Sequence, residues 1–154
     1  MENIDEKELL LKGKKRALRL LERKDYSRKE LSDRLKKDGY ESEMIDKIIE
    51  YVDSYHYLDD SRVAESYVRS RSGYKSKREI EYLLKQKGIS DEEIDIALEE
   101  NYENEEEVIR KQIHKYHVTE DSLKEMSYEE KQKIAAKLYR KGFEPDKIKR
   151  QLGM

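Results

Sequence analysis

Cysteine is absent from this chain of 154 residues, which removes disulfides, thiolate nucleophiles and cysteine-ligated metals from consideration. Tryptophan is absent too, while phenylalanine and proline each occur once and glycine six times. With a single proline and sparse β-branched residues, little interrupts helices and nothing reads as a persuasive strand. No apolar run approaches the ~20 residues of a membrane span, and the start MENIDEKELL is too acidic for a secretory leader. The expectation is a soluble cytoplasmic protein with no membrane partner. A charge excess of one sign is also missing, because the net charge is only −2, so the total points to neither nucleic acid nor membrane.

What is present is charge in quantity. Charged residues make up 45% of the chain against 35% hydrophobic, which is too little apolar material for one large core. The charge comes in blocks. Residues 69–87 hold seven basic side chains against Glu79 and Glu81; residues 91–107 hold ten acidic ones and no basic one. Residues 131–150 swing back, with eight basic side chains against Glu144 and Asp146. Tyrosine is the main aromatic, with twelve copies.

Apolar residues recur at three- and four-residue steps, as in Ile45, Ile48, Ile49 and Val52, which predicts an all-α protein. A longer period lies over this one. SRKELSDRLKKDGY (27–40) returns 49 residues later as SKREIEYLLKQKGI (76–89), placing Leu31 on Ile80, Leu35 on Leu84 and Gly39 on Gly88. A further step of 54 gives Ile134, Leu138, Gly142 and Phe143. Ser27 with Glu30, Ser76 with Glu79, and Ser127 with Glu130 read as capping boxes that start a helix. Each helix runs to a glycine suited to a left-handed C′ position, the third one turn longer than the others. Pro145 fits the first turn of the last helix. Helical segments at roughly 5–23, 60–72 and 104–117 precede the pairs. The predicted architecture is a tandem array of three three-helix repeats (1–55, 56–101 and 102–154) forming an elongated, curved molecule.

The stretch YLDDSRVAESYVRSR (57–71) carries more than helix chemistry. So does R-x-x-Y-S-x-x-E-L (Arg23, Tyr26, Ser27, Glu30, Leu31), with the K-G-I turn (Lys87, Gly88, Ile89) and LYRKGFEPDKI (138–148). In this order and spacing, over residues 15–152, the chain resembles the RecX family, regulatory proteins of the bacterial recombinase RecA. The resemblance implies a non-enzymatic regulator, most members being inhibitors, that binds in the groove of the RecA–single-stranded-DNA filament. There it would modulate ATP hydrolysis, filament extension and strand exchange in recombination and repair. It implies a monomer whose partner is that filament, with a weak direct contact to DNA left open.

Candidate contact residues follow from the blocks. Arg69, Arg71, Lys75, Lys77, Arg78 and Lys85, with Arg62 and the interleaved Tyr67, form a basic stretch able to meet acidic loops or phosphates. The C-terminal basics Lys137, Arg140, Lys141, Lys147, Lys149 and Arg150 supply a second patch, with Arg140 and Lys141 as its candidate contacts, of most value if it faces the same groove. The plainer alternative is a solvated face with tyrosines partly in the core. Tyr57, Asp59 and Asp60 sit at the junction of the first two repeats, with Asp59 or Asp60 capping a helix and Tyr57 packing between units. The acidic run reads mainly as helix first turns complementing the dipole. No catalytic motif, cofactor loop or metal set appears: His114 and His117 are three apart on one helix but lack companion ligands, and read as surface histidines. The rival classes are a helical-repeat protein that binds nucleic acid directly without RecA, and a general adaptor for an unrelated protein.

Overall fold

The structure is a computed structural model that describes residues 5–154. Residues 1–4, which the sequence assigns to the first repeat, lie outside the described residues. Among the described residues there are ten helices and no strand. The first group is α1 (Glu6–Arg23), α2 (Arg28–Lys37) and α3 (Ser42–Ser54); the second is α4 (Asp60–Arg71), α5 (Lys77–Gln86) and α6 (Asp91–Asn101). The third is α7 (Glu105–Lys115), α8 (Glu120–Glu125), α9 (Tyr128–Arg140) and α10 (Pro145–Leu152). No helix among them is long and apolar enough to cross a membrane.

Helix α8 was not anticipated. Its six residues are too few to display a helical repeat of apolar positions, and none is fully buried. A capping box between Thr119 and Ser122 starts it, and Leu123 and Met126 anchor it on the neighbouring core.

The repeated motif folds as its letters require. Ser27, Ser76 and Ser127 each accept the backbone N–H of the glutamate three residues on, at 3.1 Å in every case. Only Ser27 completes the reciprocal box through Glu30. The expected box at Ser76 is half made, because the Glu79 carboxylate turns to Lys75 at 2.9 Å. At the other end Gly39, Gly88 and Gly142 take φ of 100°, 79° and 94°. The residue after each glycine reaches back to the last turn, as in Ile89 N–H to the Leu84 carbonyl at 3.2 Å.

The motif also does something that its letters do not announce. The Ser27 and Ser76 side chains are fully buried. Besides accepting from its own helix, each hydroxyl donates to a carbonyl in the next unit: Ser27 Oγ to Lys87 O at 2.5 Å, and Ser76 Oγ to Lys141 O at 2.7 Å. Both carbonyls belong to the residue just before the turn glycine. The start of the second helix in one unit thus meets the end of the second helix in the next, at two equivalent seams. Positive and negative helix poles face each other there. The approach is close enough that a Cβ on Gly142 would lie 2.7 Å from Ser76 Oγ, and one on Gly88 would lie 2.5 Å from the Lys29 side chain. At the open ends nothing similar occurs: Ser127 is exposed, and a Cβ on Gly39 would meet nothing within 4 Å.

The cores do not follow the repeats one to one. Ala17, Leu20, Leu31, Leu35, Ile45, Ile48, Val52 and Leu58 form a core belonging to α1–α3. Gly13 lets α3 approach α1, since a Cβ there would sit 2.2 Å from Ile48 Cδ1. The second and third groups instead share one continuous core, running from Val63 through Ile80, Leu84 and Ile109 to Leu138, Phe143 and Leu152. The link between them, Tyr102–Asn104, is itself stapled down. Tyr102 is buried and donates to the Lys75 carbonyl at 2.7 Å, and Glu103 N–H donates to Ser72 Oγ at 2.9 Å.

Two predictions follow from the seams. Ser76→Ala should cost about 2–4 kcal/mol, because it removes a cap and strands a carbonyl. Ser127→Ala, a cap alone, should cost about 1 kcal/mol, and urea denaturation of the two variants separates these cases. The second concerns Glu30. Burial raises its pKa, but the Ser27 N–H bond and the Lys87 ammonium outweigh this and hold it below the ordinary 4.5. A carboxyl lowered in the folded state stabilises fully above its unfolded value and loses that contribution as pH falls through the folded value. Stability should therefore drop in acid below pH 4.5, and Glu30→Gln should flatten that part of the urea-midpoint profile.

Candidate partner-binding groove

The basic block of residues 69–87 does not present one free surface. Arg69 is tied to Glu65 and reaches Asn101 Oδ1 at 3.3 Å. Arg71 lies 3.7 Å over the Tyr67 ring and donates to Ser70 Oγ. Tyr67 itself is half-buried against the shared core, with Lys87 on its ring at 5.4 Å. Lys75 pairs with Glu79, and this hydrogen bond raises its pKa above the ordinary 10.5. Lys85 pairs with Glu81 at 3.1 Å and lies 3.8 Å from Asp91, and the Glu81 bond likewise raises its pKa. Lys77 stays exposed, with its ammonium 5.3 Å from the Tyr102 ring. Arg62 lies away from these residues, exposed on α4 and 3.5 Å from Asp25 of the first unit.

The junction residues divide the roles left open between them. Asp59 caps α4 by accepting the Arg62 N–H at 3.1 Å, whereas Asp60 accepts the Arg28 N–H across the first seam at 2.9 Å. Tyr57 does not pack between units. It is 49% exposed and stacks on Tyr55 with ring centroids 6.0 Å apart, while Leu58 takes the buried position. The Tyr57 N–H closes the end of α3 on the Val52 carbonyl at 3.1 Å, and the next residue is the one that enters the core.

Arg78 is the member of the block left over, and it meets the second patch. The Ser76–Lys141 bond sets the start of α5 against the end of α9, and the residues flanking that bond line an open groove. Arg78 and Tyr82 stand on one wall, Tyr139, Arg140 and Lys141 on the other. Tyr82 and Tyr139 are 59% and 57% exposed, so both rings offer a face to a partner. Lys141 is held at Gln112 Oε1 at 3.0 Å. Glu79, the acid in the groove, is engaged by Lys75. Neither the Arg78 nor the Arg140 guanidinium has an acidic partner within ion-pair distance among the described residues. An open groove with two uncompensated guanidiniums and two tyrosine faces suits an anionic partner presenting flat or apolar groups.

The equivalent place at the first seam lacks this character. Lys29 occupies the position of Arg78 and spends its ammonium on the Gln86 carbonyl at 3.2 Å. Asp33 stands for Tyr82, Lys85 for Tyr139 and Gln86 for Arg140. The groove is therefore a property of the second seam alone. Tyr139 was not singled out in the sequence, because only the meeting of α5 with α9 sets it opposite Arg78 and Tyr82. Ser27 and Ser76 were missed as bridging donors because a cap already accounted for each hydroxyl. The acidic run is mainly an exposed face, from Asp91 and Glu92 through Asp95, Glu99 and Glu100; Glu105 is buried and accepts the Glu144 N–H at 3.2 Å, and Glu106 pairs with Arg150. Burial, with Glu105 nearby, pushes the Tyr102 phenol well above its usual range. No cluster of three or more metal-ligating side chains occurs among the described residues.

The chain matches three consecutive family descriptions: RecX first three-helix domain over residues 14–51, second over 59–98 and third over 103–152. It is 34% identical over 145 residues to the regulatory protein RecX of Caldanaerobacter subterraneus, covering 92% of this chain and 70% of that protein. It is 34% identical over 109 residues to the regulatory protein RecX of Clostridium acetobutylicum, covering 71% and 51%. The chain thus spans between about half and 70% of the length of these relatives. The crystal structure of RecX from Lactobacillus salivarius superposes with a TM-score of 0.77 at 27% identity, covering 94% of each chain.

Because Arg78 and Arg140 hold nothing within the molecule, Arg78→Ala and Arg140→Ala should each change stability by less than about 0.5 kcal/mol. Tyr102→Phe, which leaves the Lys75 carbonyl without its donor, should cost about 1–3 kcal/mol. Thermal and urea melts of the three variants check this division.

Proposed function

The chain belongs to the RecX family, and we propose that it is a non-enzymatic regulator of RecA that binds the RecA–single-stranded-DNA filament through the groove between α5 and α9. The observation that carries this reading is the pair of uncompensated guanidiniums, Arg78 and Arg140, flanked by exposed Tyr82 and Tyr139 at one seam only. A filament presents repeating acidic protein surface and phosphate, and Arg forks bind carboxylate and phosphate alike. An array of units strung along the filament bridges successive protomers, and such a bridge opposes the rearrangement that ATP turnover and strand exchange require. The chain supplies no reactive group of its own to this effect; the hydrolysis it modulates is RecA's.

The two tyrosine faces favour a second reading, in which the groove takes single-stranded nucleic acid without RecA, because bases stack on exposed aromatic rings. The two readings separate in one experiment. ATP hydrolysis by RecA on single-stranded DNA is titrated with the wild-type protein, Arg78→Ala/Arg140→Ala, and Arg69→Ala, whose guanidinium is already engaged. The double variant should lose about tenfold or more in apparent affinity, the range for two interface arginines, while Arg69→Ala stays near wild type. Undiminished inhibition by the folded double variant excludes the groove from the mechanism. Binding to naked single-stranded DNA, tight and steeply salt-dependent, would favour the second reading.

A further inference from the structure

The two seams share their serine–carbonyl bond, but only one is backed by apolar packing. At the second seam the core is continuous from α4 to α10, and the connecting residues are stapled by Tyr102 and Glu103. At the first seam the two cores are separate. Apart from the Lys29 stem against Gly88, the contacts found there are polar: Ser27 Oγ to Lys87 O, Lys29 Nζ to Gln86 O, Arg28 N–H to Asp60, Lys87 with Glu30 at 3.0 Å, and Arg62 with Asp25. Several of these groups are exposed, so water competes for them and salt screens the ion pairs.

The connection at this seam is also short. Leu58 is buried in the core of the first unit, and α4 begins at Asp60 with Val63 in the core of the second body. Asp59, an extended residue at φ −154°, is the residue between them. Two bodies with separate cores, joined through one residue and a polar seam, can rotate without exposing apolar surface. The second and third groups cannot do so, because their shared core would open.

We propose that residues 5–58 swing as one body about Asp59 relative to residues 60–154, and that the polar seam is a salt-sensitive latch holding the closed position. This motion is a property of the fold and does not depend on which partner fills the α5–α9 groove. In the closed position Ser27 satisfies the Lys87 carbonyl and Lys87 neutralises Glu30. In the open position the buried Ser27 hydroxyl and the part-buried Lys87 and Glu30 are uncovered, and water takes the place of each partner.

The chain has no cysteine, so spin labels can be placed freely. Exposed positions Arg19 on α1, Glu99 on α6 and Lys133 on α9 serve. The Arg19→Cys/Glu99→Cys pair spans the first seam, and the Glu99→Cys/Lys133→Cys pair spans the second. Distance distributions are measured by electron–electron double resonance at about 50 mM and about 1 M salt, where screening shortens to about 3 Å. The first pair should broaden about twofold at high salt while the second stays unchanged. Adding Lys29→Ala and Arg62→Ala should broaden the first pair at low salt without altering helical circular dichroism. A first pair as narrow as the second at both salts overturns the proposal. So does equal broadening of both pairs, which would mean general loosening, or a first pair indifferent to the two alanines, which would leave the seam with no latching role.

Discussion

A buried serine hydroxyl that serves two units at once governs this molecule. Ser27 and Ser76 each accept from the helix they start and donate to a carbonyl at the end of the corresponding helix in the next unit. A hydroxyl can do both because it carries one proton and two lone pairs. Alanine could do neither, and a carboxylate could only accept. The carbonyl it meets is one of the orphan groups at a helix C-terminus, which must be satisfied somewhere when water is excluded. The glycine that follows it has two reasons to lack a side chain. Its left-handed φ disfavours a Cβ, and at Gly88 and Gly142 there is also no room for one. Repetition of S-x-x-E and G at a fixed distance is therefore repetition of a joint.

The joint explains where the groove lies. Arg78 is two residues beyond Ser76, and Arg140 is one residue before Lys141, so the bond between Ser76 and Lys141 brings together side chains 62 positions apart in sequence. Most other members of the basic block look inward to acids and rings of their own unit, as Arg69 does to Glu65 and Lys75 to Glu79. The local i, i+4 geometry of helices makes such pairs almost unavoidable in a chain this rich in charge. What distinguishes the α5–α9 groove is the failure of this neutralisation at two positions. The same joint at the other seam gives no such groove, since Lys29 spends its charge on a carbonyl.

The all-α class, the three repeats of the motif, the capping serines, the C′ glycines and the first-turn proline were legible in the sequence, because each rests on interactions within a few residues. The longer third helix was legible from the offset between Ser127 and Gly142. Helix α8 was not, being shorter than two full turns of pattern. The Glu79 and Glu130 halves of two capping boxes were misread; at Glu79 the reason is Lys75, which competes for the same carboxylate from four residues away. The inward turn of Leu58 instead of Tyr57 could not be read either, since an aromatic and a leucine side by side are equally apolar candidates.

The sequence by itself determined where helices start and stop and which faces are apolar, since caps, turns and helical periodicity act over at most four residues. The tertiary structure decided the rest. It alone pairs Ser27 and Ser76 with carbonyls 60 and 65 residues away, leaves Arg78 and Arg140 uncompensated in one groove, and fuses the second and third units around one core while the first keeps its own. These outcomes depend on which unit's end meets which unit's start. That is set by competition for buried hydrogen-bond partners across the whole chain, and no local pattern records it.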